Sequence, residues 1–175
     1  INLAKKKGTI NAAIVNAGEI FPMESVQKAV QHNLINPFFI GNKNEIIKYA
    51  EKLNWDISKY SVIDEKDENT TAPIAASLAS EGKVKIIVKG HIHTDILIKA
   101  VLKRNLNLIG KKRLSHVWHM TLGSDDKPFI ITDGVVNVLP KLEVKMHILR
   151  NAVDFAHKIG ISRPKVSVLS ATEEI

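Results

Sequence analysis

The feature that most constrains this chain is a repeated change in the spacing of its apolar residues. Short β-type runs at Ile10–Val15, Pro37–Ile40, Ser61–Ile63, Val84–Val88, Leu114–Met120, Phe129–Thr132 and Val166–Leu169 are separated, for the most part, by stretches with helical spacing. Val26, Ala29, Val30 and Leu34 recur at helical intervals behind Pro22, a first-turn proline. Asn42 followed by Glu45 reads as a helix start, with Ile46, Ala50 and Leu53 on one face. Strands alternating with helices predict an α/β fold, a mostly parallel sheet with helices on both faces. The unbroken apolar run Ile86-Ile87-Val88 suits a strand buried on both sides.

The pattern breaks near Gly110. From there Leu114–Met120, the turn-forming residues 123–128 and Phe129–Thr132 read as an antiparallel hairpin. Leu142, Met146, Leu149, Val153 and Ala156 follow at steps of four and three, a helix whose stripe is expected to face a core. We therefore expect a first α/β domain over residues 1–113 and the start of a second over 114–175.

Composition narrows the function classes. The 175 residues are 45% apolar and 25% charged, as in an ordinary globular protein. There is no cysteine, which removes a disulfide framework, a thiolate zinc site and a cysteine nucleophile. No run reaches bilayer length, and residues 1–9 lack a signal-peptide centre, so we expect a cytoplasmic protein with no membrane partner. The net charge is +7, but the basic residues are spread out, clustering only at Lys5–Lys7 and Lys111–Arg113. No aromatic residue interleaves with those clusters, so no nucleic-acid partner is expected and a small anionic ligand suits the charge equally well. The chain starts at Ile1 and stops at Ile175 beside a strand-like run, and both ends read as interior points of a longer protein.

Ligands of open parallel sheets gather outside the carboxyl ends of the strands. Lys89, Gly90 and Thr94 lie where a strand runs into a loop and a helix, with Gly90 expected to let the backbone turn and Thr94 or Asp95 to cap the helix. This segment reads either as a plain connection or as an anion-binding loop. His91 and His93 are two apart with no carboxylate at a familiar spacing, which disfavours a metal. Alternation places Ser115, Val117 and His119 on one side of a strand and His116 and Trp118 on the other, which disfavours a serine–histidine hydrolase. Asp133 and Asn137 end another strand; they fit either loop scaffolding or direct ligand contact.

In this order, strand-Lys89-Gly90-x-x-x-Thr94-Asp95, Arg113-x-Ser115-His116-Val117 and Thr132-Asp133-x-x-x-Asn137-x-x-Pro140 resemble the phosphate acetyltransferase and phosphate butyryltransferase family. The likeness runs on through Asn151–Ile161 to Arg163–Glu173, including Ser170, and back through residues 33–41 and 82–90. It is similar too to the acyltransferase part of fused hydratase–acyltransferase proteins. Two departures stand out: the Leu-Arg-x-x-Lys-Gly segment of dedicated acetyltransferases is absent, and Gly134 replaces the more usual alanine.

The resemblance implies a two-domain fold like that of isocitrate and isopropylmalate dehydrogenases, with a cleft that the motif loops approach. It implies transfer of a short acyl group between coenzyme A and inorganic phosphate, with acyl-CoA and phosphate or acyl phosphate as substrates, no tightly bound cofactor, no metal, and a homo-oligomer at full length. Lys89, Gly90, Thr94, Ser115, His116, Asp133, Asn137 and Ser170 would contact or shape the substrate site. The base and the phosphate-gripping Ser-Arg pair would lie further along, so the fragment alone is expected to be inactive. The alternative is a regulatory acyl-CoA-binding domain of the kind fused to malic enzymes.

Overall fold

The structure, a computed structural model, describes residues 2–110, 112–121 and 128–169. It divides into two compact units, Ile1–Leu108 and Ile109–Ile175.

The first unit opens with a short helix, α1 (Asn2–Lys5), and is built on four strands: β1 (Ile10–Val15), β2 (Ile35–Gly41), β3 (Ser61–Asp64) and β4 (Ile86–Lys89). All pair in parallel, in the order β3-β2-β1-β4. Helices α2 (Ile20–Gln31), α3 (Lys43–Lys52), α4 (Glu68–Ser80) and α5 (Thr94–Val101) connect and cover them. Because side chains alternate along a strand, β1 divides its residues between two cores. Ala12 and Ile14 pack with Phe39, Met23 and Val26 of α2 and Ile46 and Ala50 of α3. Ala13 and Val15 pack on the opposite face with Ala72, Ala75 and Ala76 of α4 and Ala100 of α5. The predicted doubly covered parallel sheet is what forms. Asn42 caps α3 as expected, its side chain accepting from the Asn44 N–H at 3.1 Å.

The second unit holds the predicted hairpin, β5 (Val117–Thr121) and β6 (Pro128–Thr132), antiparallel with Trp118 opposite Ile131, and α6 (Leu142–Lys158). The turn residues 123–127 lie outside the described residues. Two expectations need correction. Val166–Leu169 is not a strand: it has no ladder partner among the described residues, and an apolar run without one leaves its peptide groups unpaired. The α6 stripe faces inward only in part. Ala156 is buried, but Leu142 is 76% exposed, and Ile148 is buried instead. Seventeen helical residues span about 26 Å, whereas five-residue strands reach about 17 Å, so the hairpin backs only part of the helix.

Candidate functional site

In the first unit the chain builds outward from β1 to β2 and β3, then crosses to the far side of β1 for β4. The reversal lies between β1 and β4, the position at which open α/β sheets leave a crevice beyond their carboxyl ends. There a depression of ≈ 530 Å³ is lined by Asn16, the Lys66–Asn69 segment, Lys89 and His91–His93. Three of its components follow β1, β3 and β4 directly, so strand order rather than sequence proximity assembles it.

Asn16 sits at a left-handed φ of 51°, a conformation asparagine tolerates better than most residues. From it the loop after β4 is held at several points. Gly90 N–H donates to the Val15 carbonyl at 2.8 Å and His91 N–H to the Asn16 carbonyl at 2.9 Å. Asn16 Nδ2 donates in return to the His91 carbonyl at 3.1 Å. Gly90 is required for space: a Cβ there would stand 2.3 Å from the Asn16 oxygen and 2.5 Å from that of Val15. Its φ is not left-handed, so the expected role in turning the chain gives way to close approach.

On the far flank Glu68, in the first turn of α4, reaches the same loop. One of its oxygens accepts from the His93 N–H at 3.1 Å and the other meets His93 Nδ1 at 2.7 Å. The backbone N–H of His93, and then its imidazole, hold the Glu68 carboxyl below its ordinary value of 4.5. Asp67 caps α4 and is likewise lowered, chiefly by the Asn69 N–H. His91 Nδ1 turns instead to Glu19 Oε1 at 3.2 Å. The two histidines thus take separate carboxylates, and among the described residues no group of three His, Asp or Glu side chains is arranged to hold a metal.

The expected cap on α5 is corrected. Neither Thr94 nor Asp95 is the cap residue; His93 is, without a side-chain cap bond, and Asp95 pairs with Lys99 at 2.9 Å. Glu68 orders this helix entry from another element, and a first-turn carboxylate suits the helix dipole. The edge carries charge of both signs, with Lys66 and Lys89 beside Asp67 and Glu68.

In the second unit Ser115, His116, Asp133 and Asn137 are brought together. Asp133, at φ 55°, accepts through one oxygen from the N–H groups of His116, Val136 and Asn137 at 3.3–3.4 Å. Asn137 Nδ2 donates to the other Asp133 oxygen and, at 3.0 Å, to the Leu114 carbonyl. Scaffolding is the role these bonds express. Gly134 has no atom within 4 Å of a Cβ position and no left-handed φ, so alanine would fit there. Side-chain alternation is as predicted. His119 meets Phe155 of α6 edge-on, 6.2 Å between ring centres, and Ser115 accepts from Asn151 of α6 at 3.0 Å. His116 lies against Trp118 at 5.3 Å on the other side. Ser170 lies outside the described residues.

Sequence reasoning missed Asn16, Glu68 and Asn151. Only Asn16 carried a signal, an asparagine directly after an apolar strand run, where left-handed turns are common. Glu68 and Asn151 act on residues 25 and 36 positions away, which no local pattern reveals.

A family model described as phosphate acetyl/butaryl transferase matches residues 67–175. Phosphate acetyltransferase of Rickettsia felis is 35% identical over 167 residues, covering 95% of this chain and 48% of that protein. Phosphate butyryltransferase of Clostridium acetobutylicum is 30% identical over 171 residues, covering 98% and 57%. Among solved structures, a branched-chain phosphotransacylase from Enterococcus faecalis V583 superposes with a TM-score of 0.76 at 30% identity, covering 94% of this chain and 57% of that one. The chain thus spans about half the length of the curated relatives it matches.

Proposed function

The chain belongs to the phosphate acetyl/butaryl transferase family, and from that premise we propose that the protein carrying it transfers a short acyl group between coenzyme A and inorganic phosphate. The family match over residues 67–175 carries the reading, since it takes in the Lys89–Thr94 loop, Ser115-His116 and Asp133–Asn137. In the direction of acyl-CoA synthesis, a coenzyme A thiolate attacks the acyl phosphate carbonyl. The C–S bond forms, the bond from carbon to the phosphate oxygen breaks, phosphate leaves with its electron pair, and the thiol proton passes to a base.

This chemistry needs donors for phosphoryl oxygens and for the carbonyl oxygen as charge develops on it. Lys89 and the first N–H groups of α5 supply positive potential at the first-unit edge, with Gly90 giving the loop its close seat and Thr94 opening the helix. Ser115 and His116 lie on a segment whose position Asp133 and Asn137 set. Ser170 keeps the same proposed role. Coenzyme A is a substrate rather than a resident cofactor. Among the described residues no helix is long and apolar enough to cross a membrane; cytoplasmic location and a homo-oligomeric state rest on the family reading. No relative described above favours a malic-enzyme regulatory domain.

The test is phosphate-dependent release of coenzyme A from acetyl-CoA and butyryl-CoA by the full-length protein and by residues 1–175 alone. We expect turnover from the former and none from the latter. Full-length protein that releases no thiol with either substrate would sink the reading.

A further inference from the structure

Asn151 stands in the middle of α6, and its side-chain nitrogen makes two bonds to one short segment: 2.8 Å to the Arg113 carbonyl and 3.0 Å to Ser115 Oγ. The carbonyl fixes the chemistry of both. A carbonyl oxygen only accepts, so the amide atom facing Arg113 is the nitrogen, and the same nitrogen faces Ser115. Its two protons are thereby assigned, one to each partner. Ser115 Oγ is an acceptor toward Asn151, which leaves its single proton free to be donated elsewhere.

We propose that Asn151 is a positioning residue that fixes Ser115 as a hydrogen-bond donor toward a phosphoryl oxygen of the substrate. The proposal rests on the acyl-transfer reading above. Two further observations agree with it. The neighbouring His116 ring packs edge-on against Trp118 on the other side of the strand, so it is not placed as a base that would make Ser115 a nucleophile. Anchoring Arg113 and Ser115 from a single helical side chain also holds the segment at two points, so a displaced Asn151 would move the hydroxyl. Free phosphate and the phosphates of coenzyme A present the same kind of acceptor, and the kinetics separate them.

The experiment is a double-mutant cycle in the full-length protein: wild type, Ser115→Ala, Asn151→Asp and the double variant, with kcat and KM for phosphate and acetyl-CoA. Aspartate is the size of asparagine but only accepts when ionised, so it would draw the Ser115 proton inward. Each single variant should raise KM for one substrate about tenfold, the loss of one hydrogen bond to a charged group. The double variant should be no worse than Ser115→Ala within about twofold, because Asn151 acts through the hydroxyl. A rise for phosphate assigns the acceptor to phosphate or acyl phosphate, and a rise for acetyl-CoA assigns it to coenzyme A. Single losses that multiply, or Asn151→Asp matching wild type, would overturn the proposal. Should Asn151→Asp fail to fold by its melting curve, Asn151→Ala serves in the same cycle with the same criterion. A wild-type protein without turnover removes the reaction and this role together; an active one with independent losses removes only this role.

Discussion

The carbonyl oxygen of Asn16 stands 2.3 Å from the point that a side-chain carbon on residue 90 would occupy. The ends of β1 and β4 meet there with no room between backbones. The Gly90→Ala variant must push the loop off Asn16 and break the bonds at Gly90 N and His91 N. Overpacking against rigid backbone should cost about 3 kcal/mol, read as a lower urea midpoint together with faster amide exchange at His91. Wild-type stability in this variant would contradict the close approach.

Asn16 itself combines a left-handed backbone with a side-chain bond to the His91 carbonyl. Asn16→Gly keeps the backbone and loses the bond, whereas Asn16→Ala loses both. The alanine variant should be less stable than the glycine variant by about 1 kcal/mol. Equal denaturation midpoints would show that the left-handed turn carries no strain.

The pairing of Glu68 with His93 predicts a pH dependence. A carboxyl whose pKa is lowered on folding stabilises the protein above its unfolded pKa, and that contribution disappears as pH falls through the folded value. Glu68→Gln should therefore melt below wild type at about pH 6, with the gap closing as the pH falls below the ordinary carboxyl value of 4.5. His93 is exposed while Glu68 is half-buried, so added salt should narrow the gap without abolishing it. A gap that widens on acidification would reverse the assignment.

Thr94 and Asp133 should part company on substitution. Thr94 opens α5 without capping it, so Thr94→Ala should lower turnover of the full-length protein while leaving its melting temperature within a degree or two of wild type, a change of at most about 0.5 kcal/mol. Asp133 binds three N–H groups and the Asn137 amide, so Asp133→Ala should cost about 2 kcal/mol of stability as well as activity. Loss of stability in the threonine variant, or none in the aspartate variant, would exchange their roles.

The parts of this protein legible in its sequence are those written in local periodicity. Ile10–Val15, the Asn42 cap and the β5–β6 hairpin are legible in spacing and end chemistry alone, because hydrophobic period and capping act over a few residues. The α4 helix was nearly silent: it buries Thr71 and three alanines and contains Pro73, so small side chains packing on a sheet leave little amphipathic signal. Val166–Leu169 misled for the opposite reason, since β propensity is realised only when another strand supplies the ladder.

What the amino-acid order determined by itself was the α/β class, the turn and cap positions and the motif series that carries the family likeness. What only the tertiary structure decided was which groups meet: Asn16 with Gly90 and His91, Glu68 with His93, Asn151 with Ser115. Those pairs are 25 to 75 residues apart in the order of the chain, and they form only once the crossover to β4 and the docking of α6 have set the spacing between backbones. Contact distance is a property of packed elements, and no local stretch of sequence contains it.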